Sequence, residues 1–445
     1  MKQRISFIPT EDNQYVYSDR LHHFLLVPPL LKEAIEKIDE KDAKNVDEYY
    51  LRKARFLKDV HFFEEEPVDF QTECPEDTIK QNLACLRQLL IEVTDSCNLQ
   101  CKYCGYGEFY VNHDRRNTRN QTFANVKALI DYLVDFWRSD YNISFQNSVY
   151  VGFYGGEPLL NMKLIQESVA YIEDLEIKNL KFRFNMTTNA TLLDRYMDYL
   201  VDKNFNLLIS LDGNEYNNSY RTDKKGNSSF VKVRDNVLKL KQTYPDYFKK
   251  EVNFNVVLHD RNTVESCLLY IQETFDKVPR ITELNPNGIS PEKVEEFKKM
   301  FKPQANSFDE ALEHDPEIKE KFHLEDSKSI SYHAVIMRHV GNRYQSYVSL
   351  FEPISGKKFL PSGSCKPFER KLFLTVNGKI LPCERIGQEH VLAWLKDGKV
   401  EMDFAAISRY YSKLYQLIIK NCVHCSLRKH CGQCMLLLEE KDGKP

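Results

Sequence analysis

Residues 97–104 read Cys-Asn-Leu-Gln-Cys-Lys-Tyr-Cys, and they place three cysteines within eight residues. Cys97, Cys101 and Cys104 are close enough in sequence for one short loop to direct all three thiols at one face of a cubane iron–sulfur cluster. Three thiolates leave the fourth iron without a protein ligand, and an open coordination position is typical of catalysis rather than of structural metal binding. The alternative on spacing alone is a three-cysteine zinc knot with a distant fourth ligand. Residues 97–104 therefore predict a metal centre. The choice between an iron–sulfur cluster and zinc depends on the rest of the chain.

The composition of the 445-residue chain excludes several classes of protein. Apolar residues make up 42% of the chain and the net charge is −3, so we expect a packed core and no nucleic-acid partner. The amino terminus lacks the apolar run of a signal peptide, and no apolar stretch reaches the ~18 residues of a membrane span. We therefore expect a cytoplasmic protein without a membrane partner. In that reducing compartment, its 12 cysteines indicate metal binding or catalysis rather than disulfides.

From Leu89 onward, strand-like and helix-like stretches alternate along the chain. Six successive β-then-α units end near Met300, and this alternation predicts an α/β fold with a parallel sheet and helices packed outside it. Six units are too few to close an eight-stranded barrel, so we predict a partial, open (β/α)6 barrel. The cysteine loop follows the first strand directly and lies at the carboxyl edge of the sheet, where such folds bind ligands. This placement favours a catalytic centre over a zinc knot.

The pattern divides the chain into four segments. Two strand-like pieces followed by two helical runs form a small α+β unit before the barrel, and an acidic, proline-containing stretch near its end is typical of a linker. We assign no role to the region after the barrel. The segments are 1–87 (the small α+β unit), 88–302 (the barrel), 303–364 (a bridging region) and 365–445 (a cysteine-rich domain).

A second group of cysteines lies in the last segment. Leu372–Val376 and Lys379–Leu381 predict a hairpin around an Asn377-Gly378 turn, and Cys365 and Cys383 flank that hairpin. Two CxxC pairs follow and are a strong indication of metal binding. The gap between them is shorter than in zinc ribbons, and both an iron–sulfur cluster and zinc remain open on spacing alone. The four cysteines of the two pairs are Cys422, Cys425, Cys431 and Cys434.

With these residues in place, the chain resembles the radical S-adenosylmethionine (SAM) superfamily, specifically its members with a SPASM auxiliary-cluster domain. The family's CxxxCxxC loop, with an aromatic residue before its last cysteine, matches residues 97–104. Its Gly-Gly-Glu-Pro motif matches residues 155–158 after the second strand. The resemblance implies that SAM and a [4Fe–4S] cluster bind at the carboxyl edge, with Cys97, Cys101 and Cys104 as the cluster ligands.

The same resemblance implies which residues contact SAM. Glu157 and nearby carbonyl groups would accept hydrogen bonds from the SAM ammonium, and Arg221 would pair with the SAM carboxylate. We interpret Asp212, which lies in the same region, as a turn-former. The implied SAM contacts are Tyr103, Gly155, Gly156, Glu157, Pro158, Thr188, Asn189, Ser210 and Arg221.

The SPASM resemblance further implies one or two auxiliary [4Fe–4S] clusters. Cys365, Cys383 and Cys434 would hold the first, and the cysteines at 422, 425 and 431 would hold the second. No cysteine follows Cys434 before the last residue of the sequence, so another residue completes the second cluster or the natural chain runs on. The nearby candidates for that ligand are His424, His430, Glu439 and Asp442.

As a whole, the resemblance implies an enzyme that matures ribosomally made peptides. A deoxyadenosyl radical would take hydrogen from a precursor peptide, and the product would be an oxidative crosslink such as a thioether. Residues 1–87 would be a winged-helix-like domain that binds the leader of the precursor, or alternatively a simple amino-terminal brace. Flavodoxin or ferredoxin would supply electrons. The alternatives are a maturase that makes formylglycine in sulfatases and, from another class, a non-enzymatic metal-binding scaffold.

Overall fold

The computed structural model of the chain describes residues 7–10, 12–18, 20–21, 23–39, 46–64, 68–144, 148–178, 180–322, 358–360, 365–423, 425 and 433–438. Cys431, which is predicted to bind an auxiliary cluster, lies outside these ranges. So do the candidates for the missing cluster ligand: His424, His430, Glu439 and Asp442.

The amino-terminal unit is a three-stranded antiparallel sheet followed by two helices. Val16, Leu31 and Ile35 belong to an apolar core of this unit that is separate from the core of the large sheet. The third strand, which the sequence did not predict, pairs with β2 and stands at the edge of the described sheet. The elements are β1 Phe7–Pro9, β2 Gln14–Ser18, β3 His23–Leu26, α1 Pro29–Glu36 and α2 Glu48–Asp59.

Six parallel strands follow one another in chain order within one large sheet, so the prediction of six β/α units is confirmed. The strands are β4 Gln88–Thr94, β5 Ser148–Gly155, β6 Lys181–Thr188, β7 Asn206–Ser210, β8 Val252–Val257 and β9 Arg280–Thr282. The helices of this region and just before and after it are α3 Glu76–Ala84, α4 Phe123–Trp137, α5 Met162–Glu173, α6 Leu193–Asp202, α7 Phe230–Thr243, α8 Pro245–Glu251, α9 Val264–Phe275, α10 Val294–Met300, α11 Gln304–His314 and α12 Glu317–Phe322.

The two faces of this sheet differ in chemistry because successive side chains of a strand point to opposite sides. One set of side chains, such as Phe184 on β6 and Phe254 on β8, joins the large apolar core beneath the helices. The alternate set borders a cavity of about 900 Å³ and includes Asn185, Asn206 and Asn255. This face of the sheet therefore borders a cavity, the lumen, lined by both polar and apolar side chains.

The carboxyl-terminal segment is joined to the same sheet, which the sequence pattern did not predict. The predicted hairpin forms, with Gly378 at φ +80° in its turn, and its first strand pairs in parallel with β4. The inward residues Leu90 of β4 and Phe373 of β10 share an apolar cluster, which favours this pairing. The elements are β10 Lys371–Leu374, β11 Lys379–Leu381, β12 Ala393–Lys396, β13 Lys399–Glu401 and α13 Phe404–Cys422.

A search of the helices in the described ranges finds none with the length and apolar character needed to span a membrane.

Candidate active site

The cysteine loop begins one residue after the end of β4 and is tied to a second loop by backbone hydrogen bonds. The amide of Gln100 donates to the carbonyl of Thr222 (2.7 Å), and the amide of Lys102 donates to the carbonyl of Tyr220 (3.1 Å). Within the loop, the amide of Cys104 donates to the carbonyl of Cys101 (3.2 Å) and forms a tight turn. These bonds fix the backbone that carries the three thiols.

The three thiols lie near one another and are half-buried. Burial, with smaller contributions from the charges of Cys104 and Cys97, raises the pKa of Cys101 to about 12, and the charge of Arg221 opposes this rise. Among the described residues, no three His, Cys, Asp or Glu side chains are gathered tightly enough to hold a metal ion as they stand. The donor set nevertheless fits an iron–sulfur cluster, because three thiols on one short loop interact electrostatically with one another.

The two glycines after β5 allow that strand end to pack against the start of the cysteine loop. The amide of Gly156 donates to the carbonyl of Thr94 (2.9 Å), and Gly155 has φ +129°. A Cβ atom at Gly156 would overlap the carbonyl oxygen of Ser96, which directly precedes Cys97. The close backbone approach expected of this motif is therefore present, and its partner is the cysteine loop of the same chain.

Glu157 bridges the ends of β5 and β6. It is 1% exposed and accepts hydrogen bonds from the hydroxyl of Thr188 (2.6 Å) and the amides of Asn189 (2.8 Å) and Leu159 (3.2 Å). Burial raises the pKa of Glu157 to about 7, and these hydrogen bonds oppose the rise. Pro158 begins the short 3-10 helix Pro158–Asn161. The carboxyl group is thus largely engaged within the chain.

Asn189 connects β6 to the cysteine loop. Its Nδ2 donates to Oδ1 of Asn98 (2.9 Å) and lies 3.7 Å from Sγ of Cys97. Ser210, the last residue of β7, is half-buried at the same edge of the sheet. The SAM contacts implied by resemblance therefore cluster at the carboxyl ends of β5, β6 and β7.

Asp212 is the centre of a buried polar network, so its interpretation as a turn-former misses its main contacts. It is fully buried, and its oxygens accept from Nε (2.8 Å) and Nη2 (3.0 Å) of Arg221 and from the hydroxyl of Tyr103. Nε2 of His259 lies 3.8 Å away. Burial would raise the pKa of Asp212, but the charge and hydrogen bonds of Arg221, together with His259, outweigh burial and hold that pKa well below its usual range.

This network determines which guanidinium nitrogens of Arg221 remain available to a ligand. The Nε/Nη2 edge of its guanidinium is occupied by Asp212, whereas Nη1 lies 4.0 Å from Sγ of Cys101. The guanidinium also stacks over the ring of Tyr103, with 5.3 Å between its carbon and the ring centroid. Arg221 therefore places a positive charge beside the cysteine loop, with one nitrogen directed at it.

The described cysteines of the two predicted auxiliary clusters differ in their surroundings and in how close they lie to one another. Cys365 and Cys434 are close enough for the charge of Cys434 to contribute to the pKa of Cys365, which burial raises. Cys383 is half-buried beside the ion pair of Lys371 and Glu384, and no contact given for the described residues joins it to the other two. Cys422 and Cys425 are linked by a backbone hydrogen bond of 3.0 Å at the end of α13: Cys425 N–H to Cys422 C=O.

The lumen cavity begins beside the cysteine loop but is not lined by its thiols. Gly105 and Tyr106 border it from the loop, and Lys371 and Glu384 border it from the carboxyl-terminal segment. Three residues that the sequence did not single out also stand here or next to it: Glu92, Tyr106 and Arg116. Glu92 could have been identified from the sequence, because its carboxyl group interrupts the otherwise apolar strand Leu89–Val93.

Comparison with known proteins gives a consistent picture of this fold. Residues 91–269 match the radical SAM superfamily. The cysteine-type anaerobic sulfatase-maturating enzyme of Clostridium novyi is 28% identical over 182 residues, which are 40% of this chain and 45% of that enzyme. The radical SAM cyclopropyl synthase TigE of Paramaledivibacter caminithermalis is 21% identical over 369 residues, which are 80% of this chain and 70% of TigE. The chain thus spans less than half of the sulfatase-maturating enzyme.

A solved structure shares the architecture. Native anSMEcpe with bound AdoMet and the Kp18Cys peptide aligns with a TM-score of 0.55 at 18% identity, over 78% of this chain and 88% of that one. Such a likeness shows a common fold. The sequence match to the radical SAM superfamily covers residues 91–269, and the similar proteins named above are enzymes.

Proposed function

We propose that the chain is a radical SAM peptide maturase that installs an oxidative crosslink, a thioether, in a ribosomally made precursor peptide. A [4Fe–4S] cluster held by Cys97, Cys101 and Cys104, together with SAM, supplies the radical that removes hydrogen from an unactivated carbon. The observation that carries the proposal is the packing of the Gly155-Gly156 strand end against the backbone directly before Cys97. It brings the cysteine motif and the glycine motif together at the carboxyl edge of a parallel sheet.

The residues of the chain then have distinct roles at this edge. Asp212 holds Arg221 and Tyr103 in fixed positions, and Arg221 directs Nη1 toward the cysteine loop, where a carboxylate of SAM would be matched by a guanidinium. Glu157 ties the ends of β5 and β6 together beside it. The remaining proposed SAM contacts are Gly155, Gly156, Pro158, Thr188, Asn189 and Ser210.

We also propose auxiliary iron–sulfur clusters in the carboxyl-terminal segment. Cys365, Cys383 and Cys434 are the ligands of one, and the proximity of Cys365 to Cys434 supports it. Cys422, Cys425 and Cys431 are the ligands of another. Electrons reach and leave the protein through a carrier such as flavodoxin or ferredoxin.

The substrate is proposed to bind in two places. The lumen exposes the amide side chains of Asn185 and Asn255, which have the donor and acceptor groups to pair with a peptide backbone. In the amino-terminal unit, β3 stands at the described sheet edge and carries the exposed apolar residues Phe24 and Leu26, each 48% exposed. An exposed edge with apolar side chains supports binding of a peptide leader as an added strand.

Loss of the cluster ligands tests the central step. The variant with Cys97, Cys101 and Cys104 all changed to Ala should form no 5′-deoxyadenosine from SAM and dithionite under anaerobic conditions, while iron bound elsewhere remains. The matched control is Cys85→Ala, which removes a half-buried thiol at the end of α3, outside the proposed cluster sites, and should retain cleavage. Cleavage that survives in the triple variant contradicts the proposal.

The similarity to the sulfatase-maturating enzyme of Clostridium novyi favours one second candidate, oxidation of Cys or Ser to formylglycine. The two products differ chemically. A thioether blocks alkylation of the substrate cysteine, whereas formylglycine carries an aldehyde that reacts with a hydrazide. Mass spectrometry of the treated peptide with each reagent distinguishes the two reactions.

A further inference from the structure

Arg116 and Tyr106 form a stacked pair whose polar atoms are buried without hydrogen-bond partners. The guanidinium carbon of Arg116 lies 3.9 Å from the centroid of the Tyr106 ring. Nε and Nη2 of Arg116 and the hydroxyl of Tyr106 are all inaccessible to solvent and have no hydrogen-bond partner among the described residues. An unsatisfied buried polar group is costly, and a cationic one more so. Three such donors in one place indicate a site that a ligand completes.

The acidic residues nearby do not neutralise Arg116. Asp114 pairs with Nζ of Lys379 (2.7 Å), and Asp95 accepts the backbone amides of Asn117 (2.9 Å) and Arg119 (2.7 Å). Among the described residues, Arg116 has no ion pair of its own. The buried carboxyl group of Glu92 also interacts electrostatically with Arg116, but Oε2 of Glu92 accepts the amide of Val376 (3.0 Å) and no ion pair joins the two side chains. Within the described residues, no carboxylate is therefore in hydrogen-bond contact with Arg116.

The same hydrogen bonds hold the pair in place. Asp95 fixes the backbone on the carboxyl side of Arg116, and on the amino side Oε1 of Gln388 accepts the amide of Asp114 (2.9 Å). The ring of His113 packs edge-on against Tyr106, with 5.7 Å between centroids. The donors are thus preorganised, because their loop is anchored to both β4 and the carboxyl-terminal segment.

The position of the pair identifies the side from which a ligand comes. Tyr106 and the neighbouring Tyr154 line the lumen cavity. The residues proposed to contact SAM, including Glu157, Asn189 and Arg221, do not line it. Arg116 does not itself line the cavity but stacks on Tyr106, which does. A group that contacts both residues would therefore enter past Tyr106, from the lumen where the proposed peptide substrate lies.

We propose that Arg116 and Tyr106 form a specificity subsite for the carboxylate of an acidic residue in the substrate peptide. The inference rests on the proposed function and adds a requirement on the substrate. The Nε/Nη2 edge of a guanidinium matches the two oxygens of a carboxylate, as the Arg221–Asp212 pair shows in this same chain, and the Tyr106 hydroxyl adds a third donor. The other cations of the lumen wall are Lys371 (2.8 Å from Glu384), Arg385 (3.9 Å from Glu384) and the exposed Arg280.

Peptide selection tests this subsite without knowledge of the natural substrate. Anaerobic holoenzyme loaded with SAM is immobilised and exposed to an mRNA-displayed library of random peptides, and the bound pool is sequenced. Wild-type enzyme should enrich Asp or Glu at one position by about tenfold, and Arg116→Gln should abolish that enrichment. Tyr106→Phe should reduce it. Arg115→Gln, the same change at the exposed neighbouring residue, should leave it as in wild type.

The outcomes separate the possible sources of the carboxylate. No acidic enrichment with wild type, or equal enrichment with Arg116→Gln, overturns the proposal. The dissociation constant of SAM is measured on the same samples. If Arg116→Gln weakens SAM binding about tenfold and leaves peptide selection unchanged, the carboxylate belongs to SAM and the peptide subsite is wrong. Failure of the maturase proposal would be seen independently, as SAM cleavage that survives without Cys97, Cys101 and Cys104.

Discussion

Two arginines flank the cysteine loop, and their surroundings differ. Arg221 donates from its Nε/Nη2 edge to the buried carboxylate of Asp212, whereas the same edge of Arg116 is buried with no acceptor in the part of the chain that the structure describes. Arg221 stacks on Tyr103 and Arg116 stacks on Tyr106, so both cations rest on an aromatic ring of the same loop. We call the Asp212–Arg221 side the complete wall, because residues of the chain satisfy its charges. The Arg116–Tyr106 side is the incomplete wall, because it is proposed to bind a group of the substrate.

The largest expected effect comes from breaking the complete wall. Asp212→Asn leaves the buried charge of Arg221 uncompensated, and we expect the free energy of unfolding to fall by about 3–5 kcal/mol. Chemical denaturation measures it. The matched control is Asp235→Asn, which breaks an exposed pair with Arg234 and should cost about 0–1 kcal/mol. Equal losses in the two variants would mean that the Asp212–Arg221 pair is not what stabilises this wall.

A pH effect of intermediate size is expected from Glu92, which is 3% exposed and lies near Arg116. Burial raises the pKa of Glu92 from 4.5 to about 7, so between these values the folded state binds a proton that the unfolded state has lost. Stability attributable to Glu92 should therefore fall as the pH rises from about 4.5 to about 7, by on the order of 3 kcal/mol.

Glu92→Gln should remove this pH dependence, because the amide oxygen can still accept the hydrogen bond from the amide of Val376. Denaturation midpoints of both proteins across that range provide the measurement. A contribution that instead rises with pH would mean that an ionised Glu92 compensates Arg116, and the contrast between the two arginines would disappear.

The smallest effect is expected at the incomplete wall. Without peptide present, Arg116→Gln replaces a half-buried cation that has no ion pair among the described residues by a neutral group. We expect the free energy of unfolding to stay unchanged or to rise by about 1 kcal/mol. Arg115→Gln serves as the reference in the same denaturation experiment. A loss comparable to that of Asp212→Asn would show that Arg116 has a structural partner within the chain.

Much of the site was predictable because its residues lie in short, local motifs. The three cysteines of residues 97–104 and the glycines at 155 and 156 are each set by spacing and by position after a strand, and the parallel sheet followed from the alternation of patterns. The role of Asp212 was not predictable in this way. Its partners Tyr103 and Val257 are distant in sequence, and only the fold brings them to one carboxyl group.

The sequence by itself determined the motif residues, the order of the six β/α units and the hairpin turn at Gly378, since these depend on local conformation and periodicity. The tertiary structure decided that the hairpin extends the parallel sheet through β4, that Arg221 is paired and that Arg116 is not. The physical reason is that charge compensation depends on distances between residues far apart in the chain. Local patterns fix which groups are present, and packing fixes which of them remain without a partner.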